Sequence, residues 1–386
     1  MPSSTSSSET STRPGFVRLT ASDRPGVAQP VPECDIPAHP WRGILAAAAV
    51  VFLLAMGAWE WRMRTLEVLP GDLGDDSSAW AEQRRRIDAE PGVMAIVGDS
   101  RILFDTDLDR FEALAGVRPV QLALQGTNGR PFLQDLADDA DFTGLAIVGI
   151  AEVSYFRDAI GIKGDVLKRY RHESPSDRSS FVLHRALSRV FGFVDEEYRL
   201  SKLVRRLDEG ARAATRGPYD EPWKMISATD GRQAWLWPRI EHDARLAAHA
   251  VSVWDAWGRL PPIPDDVIAS TQSATRDAVA KIRARGGDVV FVRPPSAPVL
   301  RVIEDKRLPR ARGWDALLAA ADVRGIHADD DAAMQGLVLP ENSHLSRACA
   351  TVFTDAYVRR LATLTDRIVL RAAAPAPLAA ADCARR

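Results

Sequence analysis

Between residues 93 and 150 the chain alternates between apolar blocks and amphipathic stretches. Residues 93–97, 117–124 and 144–150 are mostly apolar, and helix-forming stretches separate them. Short blocks that are apolar at nearly every position are typical of strands buried on both faces of a parallel sheet. The pattern therefore predicts a repeated β/α unit in this part of the chain.

The same rhythm returns towards the C-terminus after a long interruption. It predicts helices at 266–284, 314–321 and 346–364 and short strands at 288–292 and 323–326. We therefore predict one α/β domain over residues 93–365, a flavodoxin-like three-layer sandwich around a mostly parallel sheet. Residues 151–262 interrupt this domain as a mainly helical insertion that lies over the sheet.

The insertion is rich in tryptophan, and two interpretations of these rings stay open. Either they form the insertion's own core, or they form a wall beside a ligand site on which a sugar or acyl group stacks. The five residues are Trp223, Trp235, Trp237, Trp254 and Trp257.

The N-terminal part of the chain has a different composition. Residues 1–40 are rich in Ser, Thr and Pro with little to bury, which predicts a disordered tail. Residues 43–59 carry no charge, and seventeen helical residues span about 25 Å, enough for one crossing of a bilayer. Flanking Trp and Arg residues favour a transmembrane helix over a buried core helix or a signal peptide cut near Gly57. We predict a helical juxtamembrane linker at 60–92 and a flexible tail at 366–386.

Charge and cysteine content narrow the classes of function. Fifty basic and 52 acidic residues give a net charge of −2, which argues against a nucleic-acid partner. Cys34, Cys349 and Cys383 are far apart and have neither CxxC nor metal-ligand spacing, so we predict no disulfide framework. Basic residues on the two sides of the predicted membrane helix are balanced, and they leave the orientation of the domain open.

Two distant motifs carry the candidate chemistry. Gly98-Asp99-Ser100 follows the first predicted strand, and Glu341 stands three residues before His344. A serine hydroxyl needs a general base to act as a nucleophile at neutral pH, and a carboxylate best orients that base. Among the seven histidines only His344 has this arrangement.

Together these residues resemble the SGNH (GDSL-type) family of hydrolases and acyltransferases. The resemblance rests on Gly98-Asp99-Ser100, on Gly126 after the second strand, and on Glu341-x-x-His344 followed by Leu345-Ser346, with Glu in place of the family's Asp. It covers about residues 93–365 without the insertion. It is strongest towards membrane-anchored envelope members, whose relatives act in O-acetylation of exopolysaccharide or D-alanylation of teichoic acid.

The resemblance implies a role for each of these residues. Ser100 is the nucleophile, His344 the general base and Glu341 the residue that orients it, although the longer Glu arm predicts a looser bond to His344. The backbone N–H groups of Ser100 and Gly126 form the oxyanion hole. The asparagine expected after the third strand is missing, so Asn128 is the candidate substitute.

Three further residues at the ends of the predicted strands bear on the same site. Glu152, near the exit of the third strand, would repel an oxyanion if it pointed inward. Arg101 and Arg293 are candidate substrate-binding residues.

The function implied is that of a membrane-anchored, extracytoplasmic serine esterase or O-acyltransferase. It would sit in the cytoplasmic membrane through residues 43–59, with its domain on the periplasmic or extracellular side. Its substrate would be an acylated envelope glycan or another acyl ester, with a membrane-bound acyl-donor protein as a further partner and no cofactor or metal. The sequence leaves hydrolase and transferase open. A glycan- or protein-binding protein of the same fold, and a metal enzyme using Asp329, Asp330 and Asp331, are the alternatives.

Overall fold

The computed structural model of the chain describes residues 39–157, 166–205, 223–255 and 257–383. Almost all of the tail predicted at 1–40 lies outside these residues. The chain divides into two compact units, Met1–Gly57 and Ala58–Arg386. The sheet and the candidate site both belong to the second unit.

Five parallel strands form the central sheet, and two more form a separate hairpin. The strands are β1 (Met94–Val97), β2 (Val120–Gln121), β3 (Leu145–Gly149), β4 (Ile226–Ala228), β5 (Ala234–Leu236), β6 (Asp288–Arg293) and β7 (Arg324–His327). The central sheet has the order β2-β1-β3-β6-β7, and each neighbouring pair is parallel. This is the order 2-1-3-4-5 of flavodoxin-like sheets, in which ligands bind beyond the carboxyl ends of the strands between β1 and β3.

Helices cover both faces of this sheet. The helices of the described residues are α1 (Trp41–Thr65), α2 (Ser77–Ala89), α3 (Ser100–Phe104), α4 (Leu108–Ala115), α5 (Arg130–Asp138), α6 (Glu152–Tyr155), α7 (Val166–His172), α8 (Pro175–Ser188), α9 (Leu200–Arg205), α10 (Pro238–His242), α11 (Ala244–Asp255), α12 (Asp265–Ala284), α13 (Pro298–Arg307), α14 (Ala316–Ala321), α15 (Arg347–Leu364) and α16 (Ala380–Cys383). Alternate residues of β1 enter different cores: Ile96 packs with α4 and α15, and Val97 packs with α2, α5 and α12. The α/β architecture with a mostly parallel sheet is therefore as predicted.

The described part of the insertion is mainly helical, as predicted, but it also contains two strands. It contains the antiparallel hairpin β4–β5, whose three-residue strands are too short to show a two-residue period in the sequence. Trp237 and Ile240 pack in the same core as Ile96 of β1. One tryptophan therefore serves the core of the whole domain. The side chain of Trp257 lies outside the described residues.

One described helix, α1, is long and apolar enough to cross a membrane by its length and composition. Its apolar stretch is unburied, whereas the core helix of a soluble protein is mostly buried. The linker predicted at 60–92 is only partly helical. The chain leaves the helix after Thr65, runs without helix through Pro70 and two glycines, and enters α2 where Asp76 accepts hydrogen bonds from the N–H groups of Ser78 (2.9 Å) and Ala79 (2.8 Å).

Two predictions about the C-terminal segment are wrong. Cys349 on α15 and Cys383 on α16 form a disulfide, with their Cα atoms 4.9 Å apart. The segment that leads to Cys383 is also not a free tail, because the Arg371 N–H donates to the Leu114 carbonyl (2.9 Å) and the Leu378 N–H donates to Asp355 (3.1 Å). The pairing arises because the chain folds back onto α15, and a separation of 34 residues gives no spacing motif for it.

Loss of this disulfide is expected to lower the free energy of unfolding by about 4 kcal/mol, because the cross-link restricts the unfolded chain. Urea unfolding of the full chain should show this loss when Cys349 and Cys383 are both replaced by alanine. It should show the same loss in the wild type under reductant. Cys34→Ala is the matched control and should leave the midpoint where it is. Equal midpoints for oxidised and reduced wild type would contradict the expected cross-link.

Candidate active site

The serine motif forms a tight turn between β1 and α3. Gly98 has φ +151°, and a Cβ there would lie 2.9 Å from the carbonyl oxygen of Gly149 on β3, so glycine is required. The Asp99 side chain accepts a hydrogen bond from the N–H of Arg101 (3.1 Å) and caps the helix that follows. Ser100 is thereby placed at the carboxyl edge of the sheet between β1 and β3, where this topology places ligands.

The serine, histidine and glutamate predicted from the two motifs are hydrogen-bonded in a chain. The Ser100 Oγ lies 2.9 Å from His344 Nε2, and His344 Nδ1 lies 2.8 Å from Glu341 Oε1. His344 and Glu341 are fully buried. With Nδ1–H donating to the carboxylate, Nε2 accepts from the serine hydroxyl, which is the tautomer that general-base catalysis needs.

The Glu341 carboxylate is held on both oxygens. Oε1 also accepts the N–H groups of Ser343 (3.2 Å) and His344 (2.6 Å), and Oε2 accepts the indole N–H of Trp254 (2.5 Å). Burial raises the pKa of Glu341, but the charge of His344 and the hydrogen bonds from His344 and Trp254 outweigh it and leave the pKa below 4.5. The looser bond expected from a Glu arm is not observed.

The loop that carries His344 is fixed from the α3 side. The Phe104 ring packs against the imidazole with a centroid separation of 4.6 Å. Asp105 accepts the N–H of Leu345 (2.9 Å), which ties the residue after His344 to the end of α3. Burial raises the pKa of Asp105 well above its usual range. The same short helix therefore carries Ser100 and, through Phe104 and Asp105 at its end, holds the loop of His344.

The two residues predicted to supply backbone donors to an oxyanion hole both line the cavity described below, whereas Asn128 is used elsewhere. In the described part of the chain no acceptor takes the N–H of Ser100 or of Gly126. Gly126 has φ +74° and open space where a Cβ would be. The Asn128 side-chain N–H donates to the carbonyl of Arg157 (2.9 Å), and Asn128 lines a different crevice, between α5 and α12. The structure therefore does not bring Asn128 into the predicted oxyanion hole.

A cavity of about 400 Å³ opens over Ser100. On one side it is lined by polar groups from the loops that follow β1, β2 and β3, including Gly126. The insertion supplies an apolar wall made of Trp223, Met225, Val253 and Trp254. The positions of Trp223 and Trp254 therefore fit the interpretation that tryptophans of the insertion form a wall beside a ligand site. An ester bound here would place an apolar group against this wall, which excludes water from that side.

The two arginines predicted to bind substrate belong instead to a buried ion-pair network. Arg101 donates to Ser343 Oγ (3.2 Å) and to Glu304, and Arg293 donates to Glu304 (2.6 Å) and Glu152 (3.3 Å). Arg293 is fully buried, and its neighbouring carboxylates raise its pKa although burial opposes this. Arg101 also lines the cavity, but its guanidinium group is held by Glu304. Glu152 turns away to pair with Arg293, so the repulsion considered for an oxyanion does not arise.

Two of the three aspartates considered for a metal ion are paired with arginines, and the third, Asp331, accepts the N–H of Ala333. Asp329 lies 2.6 Å from Arg301, and Asp330 lies 2.6 Å from Arg310. Within the described ranges no group of three or more His, Cys, Asp or Glu side chains is arranged to hold a metal ion.

The contacts that three residues make in the site escape sequence reasoning: those of Trp254, Asp105 and Glu304. Each contacts a partner far away in the chain; Trp254 and Glu341, for example, are 87 residues apart. Trp254 is one of several tryptophans in the insertion, and only the fold distinguishes it from the others. The acidic residues lack any neighbouring motif.

No family model matches the chain, and no curated protein or solved structure is significantly similar to it. The fold and the site therefore define the class on their own. This is an α/β protein with a five-stranded parallel sheet, and the carboxyl edge of that sheet carries a hydrogen-bonded serine, histidine and glutamate.

Proposed function

We propose that this chain is a membrane-anchored serine esterase or O-acyltransferase with an SGNH-type fold. The observation that carries the proposal is the continuous chain of hydrogen bonds from Ser100 through His344 to Glu341. A buried carboxylate, an imidazole in the matching tautomer and a hydroxyl facing a cavity are the parts that acyl transfer through serine requires. The flavodoxin-like strand order and the position of Ser100 after β1 support the same family.

In the first half of the reaction Ser100 Oγ attacks the carbonyl carbon of the ester, and its proton passes to His344 Nε2. The tetrahedral oxyanion accepts hydrogen bonds from the N–H groups of Ser100 and Gly126. The C–O bond to the alcohol then breaks, and His344 returns the proton to the leaving alkoxide. In the second half, water or a sugar hydroxyl gives its proton to His344 Nε2 and attacks the acyl carbon; the bond to Ser100 Oγ then breaks, and His344 returns the proton to that oxygen. Glu341 stabilises the imidazolium in both halves.

Two features taken together support the proposed compartment. Helix α1 is long and apolar enough to anchor the chain in a membrane. The disulfide Cys349–Cys383 supports an oxidising environment, since such bonds persist outside the cytoplasm. We therefore place the domain on the periplasmic or extracellular side of the cytoplasmic membrane. An acylated envelope polysaccharide, with acetyl-type groups, is the substrate class proposed, and a membrane-bound acyl-donor protein would serve the transferase.

A fluorophosphonate probe tests the proposal directly. We expect the full-length protein in detergent to be labelled, and peptide mapping to place the label on Ser100, because only a serine activated by a base reacts with such a probe. Ser270→Ala, an exposed serine on α12, is the control and should be labelled like wild type. Folded protein that takes no label at Ser100 would contradict the enzyme and favour the binding protein of the same fold.

A further inference from the structure

We propose that Trp254 is a positioning residue that completes the catalytic group from the inserted segment, an inference that rests on the proposed acyl transfer. Its indole N–H donates to Glu341 Oε2 at 2.5 Å, on the oxygen opposite the one that binds His344. Its ring centroid lies 5.7 Å from that of the imidazole. A single side chain from α11 therefore contacts both members of the acid–base pair.

The bond matters because of where Oε2 lies. Glu341 is fully buried, and among the described residues Trp254 is the one donor to this oxygen. A buried carboxylate oxygen without a donor is strongly disfavoured, and the side chain would rotate or bind a proton to escape that state. Either response would move Oε1 away from His344 Nδ1 or remove its negative charge.

The insertion thereby compensates for the glutamate at position 341. A Glu side chain has one more rotatable bond than Asp, so holding only one oxygen leaves the other free to swing. The N–H groups of Ser343 and His344 hold Oε1, and Trp254 holds Oε2. With both ends fixed, the longer arm presents Oε1 to the imidazole as firmly as a shorter one would.

The test is Trp254→Phe in the full-length protein, assayed with p-nitrophenyl acetate. We expect kcat to fall about 10- to 100-fold, the usual range for a hydrogen bond to a buried charge, while KM changes little because the aromatic wall is kept. Labelling of Ser100 by the fluorophosphonate should slow by the same factor. Trp235→Phe is the matched control, since Trp235 is a buried tryptophan of the same insertion that stacks on Arg347 away from the cavity. It should keep the wild-type kcat and KM.

The outcomes separate this inference from the proposed function. If wild type is labelled at Ser100 but Trp254→Phe keeps its kcat, the positioning role is refuted and the esterase stands. If wild type itself is not labelled, the proposed function fails first. Should Trp254→Phe not fold, 3-benzothienyl-alanine at position 254 keeps the shape and replaces only the N–H by sulfur. The same loss of kcat at constant KM is expected, and a wild-type kcat there would again refute the role.

Discussion

Replacement of Ser100 by alanine is expected to lower kcat for ester hydrolysis by about 10⁴- to 10⁶-fold, the range seen when the nucleophile of a serine triad is removed. The reason is geometric. The Ser100 Oγ is 2.9 Å from His344 Nε2 and at the base of the cavity, so no acyl-enzyme forms without it. Mass spectrometry of wild type mixed with p-nitrophenyl acetate should show one acetyl group on Ser100, and the variant should show none.

Ser270→Ala provides the control for this substitution as well, because it removes the same hydroxyl from the exposed side of α12. It should retain full activity, and both variants should unfold at the wild-type urea midpoint. If Ser100→Ala hydrolyses the ester at the wild-type rate, the nucleophile lies elsewhere and the assigned chemistry is wrong. An increase in p-nitrophenol release by the wild type when an oligosaccharide with free hydroxyl groups is added, together with acetyl groups appearing on that sugar, would favour the transferase over the hydrolase.

Replacement of Glu304 by glutamine is expected to lower the free energy of unfolding at pH 7 by about 3–5 kcal/mol, the usual cost of breaking a buried ion pair from one side. Glu304 is shared between Arg101 and Arg293, and all three side chains are buried. Glutamine keeps the shape but leaves two buried guanidinium groups with too little negative charge. The measurement is urea unfolding followed by tryptophan fluorescence. Asp265→Asn removes the carboxylate of an exposed pair with Arg312 and should change stability by less than about 1 kcal/mol.

The same residue predicts a pH dependence. Burial raises the pKa of Glu304, but the charges of Arg101 and Arg293 outweigh burial and lower the pKa from 4.5 to about 2. Because the folded value is the lower one, this carboxylate stabilises the fold fully above about pH 4.5, and the stabilisation is lost as the pH falls towards about 2. The unfolding free energy of wild type should therefore decline over this interval more steeply than that of Glu304→Gln. Parallel curves for the two proteins would show that the network does not depress this pKa.

The parts of the fold that were predictable are those with a local pattern. The apolar runs at 93–97, 144–150 and 288–292 correspond to β1, β3 and β6, because strands buried on both faces are apolar at every position. The candidate site residues Ser100, Glu341 and His344 were predictable for a different reason. Gly98 to Ser100 forms a turn whose shape depends on its own residues, and Glu341 and His344 are close in sequence.

The remaining features depend on contacts that no local pattern records. Arg101 and Glu304 are 203 residues apart in the chain. Their pairing holds Arg101 in a buried network, although its position after the first strand had suggested that it binds substrate. The disulfide partners meet only because the C-terminal segment folds back on α15. The hairpin β4–β5 has strands too short for a period. Such features become visible only when the three-dimensional neighbours are known.

The division of the cavity between two stretches of chain has a consequence for how this protein can evolve. Most of the apolar wall comes from Trp223, Met225 and Val253, which in the described part of the chain form no hydrogen bond with the serine, the histidine or the glutamate. Substitutions there are free to change which ester is accepted while the chemistry stays intact. Trp254 is the exception, since it serves the wall and the carboxylate at once. We therefore expect adaptation to a new substrate to change Trp223, Met225 or Val253 and to retain Trp254.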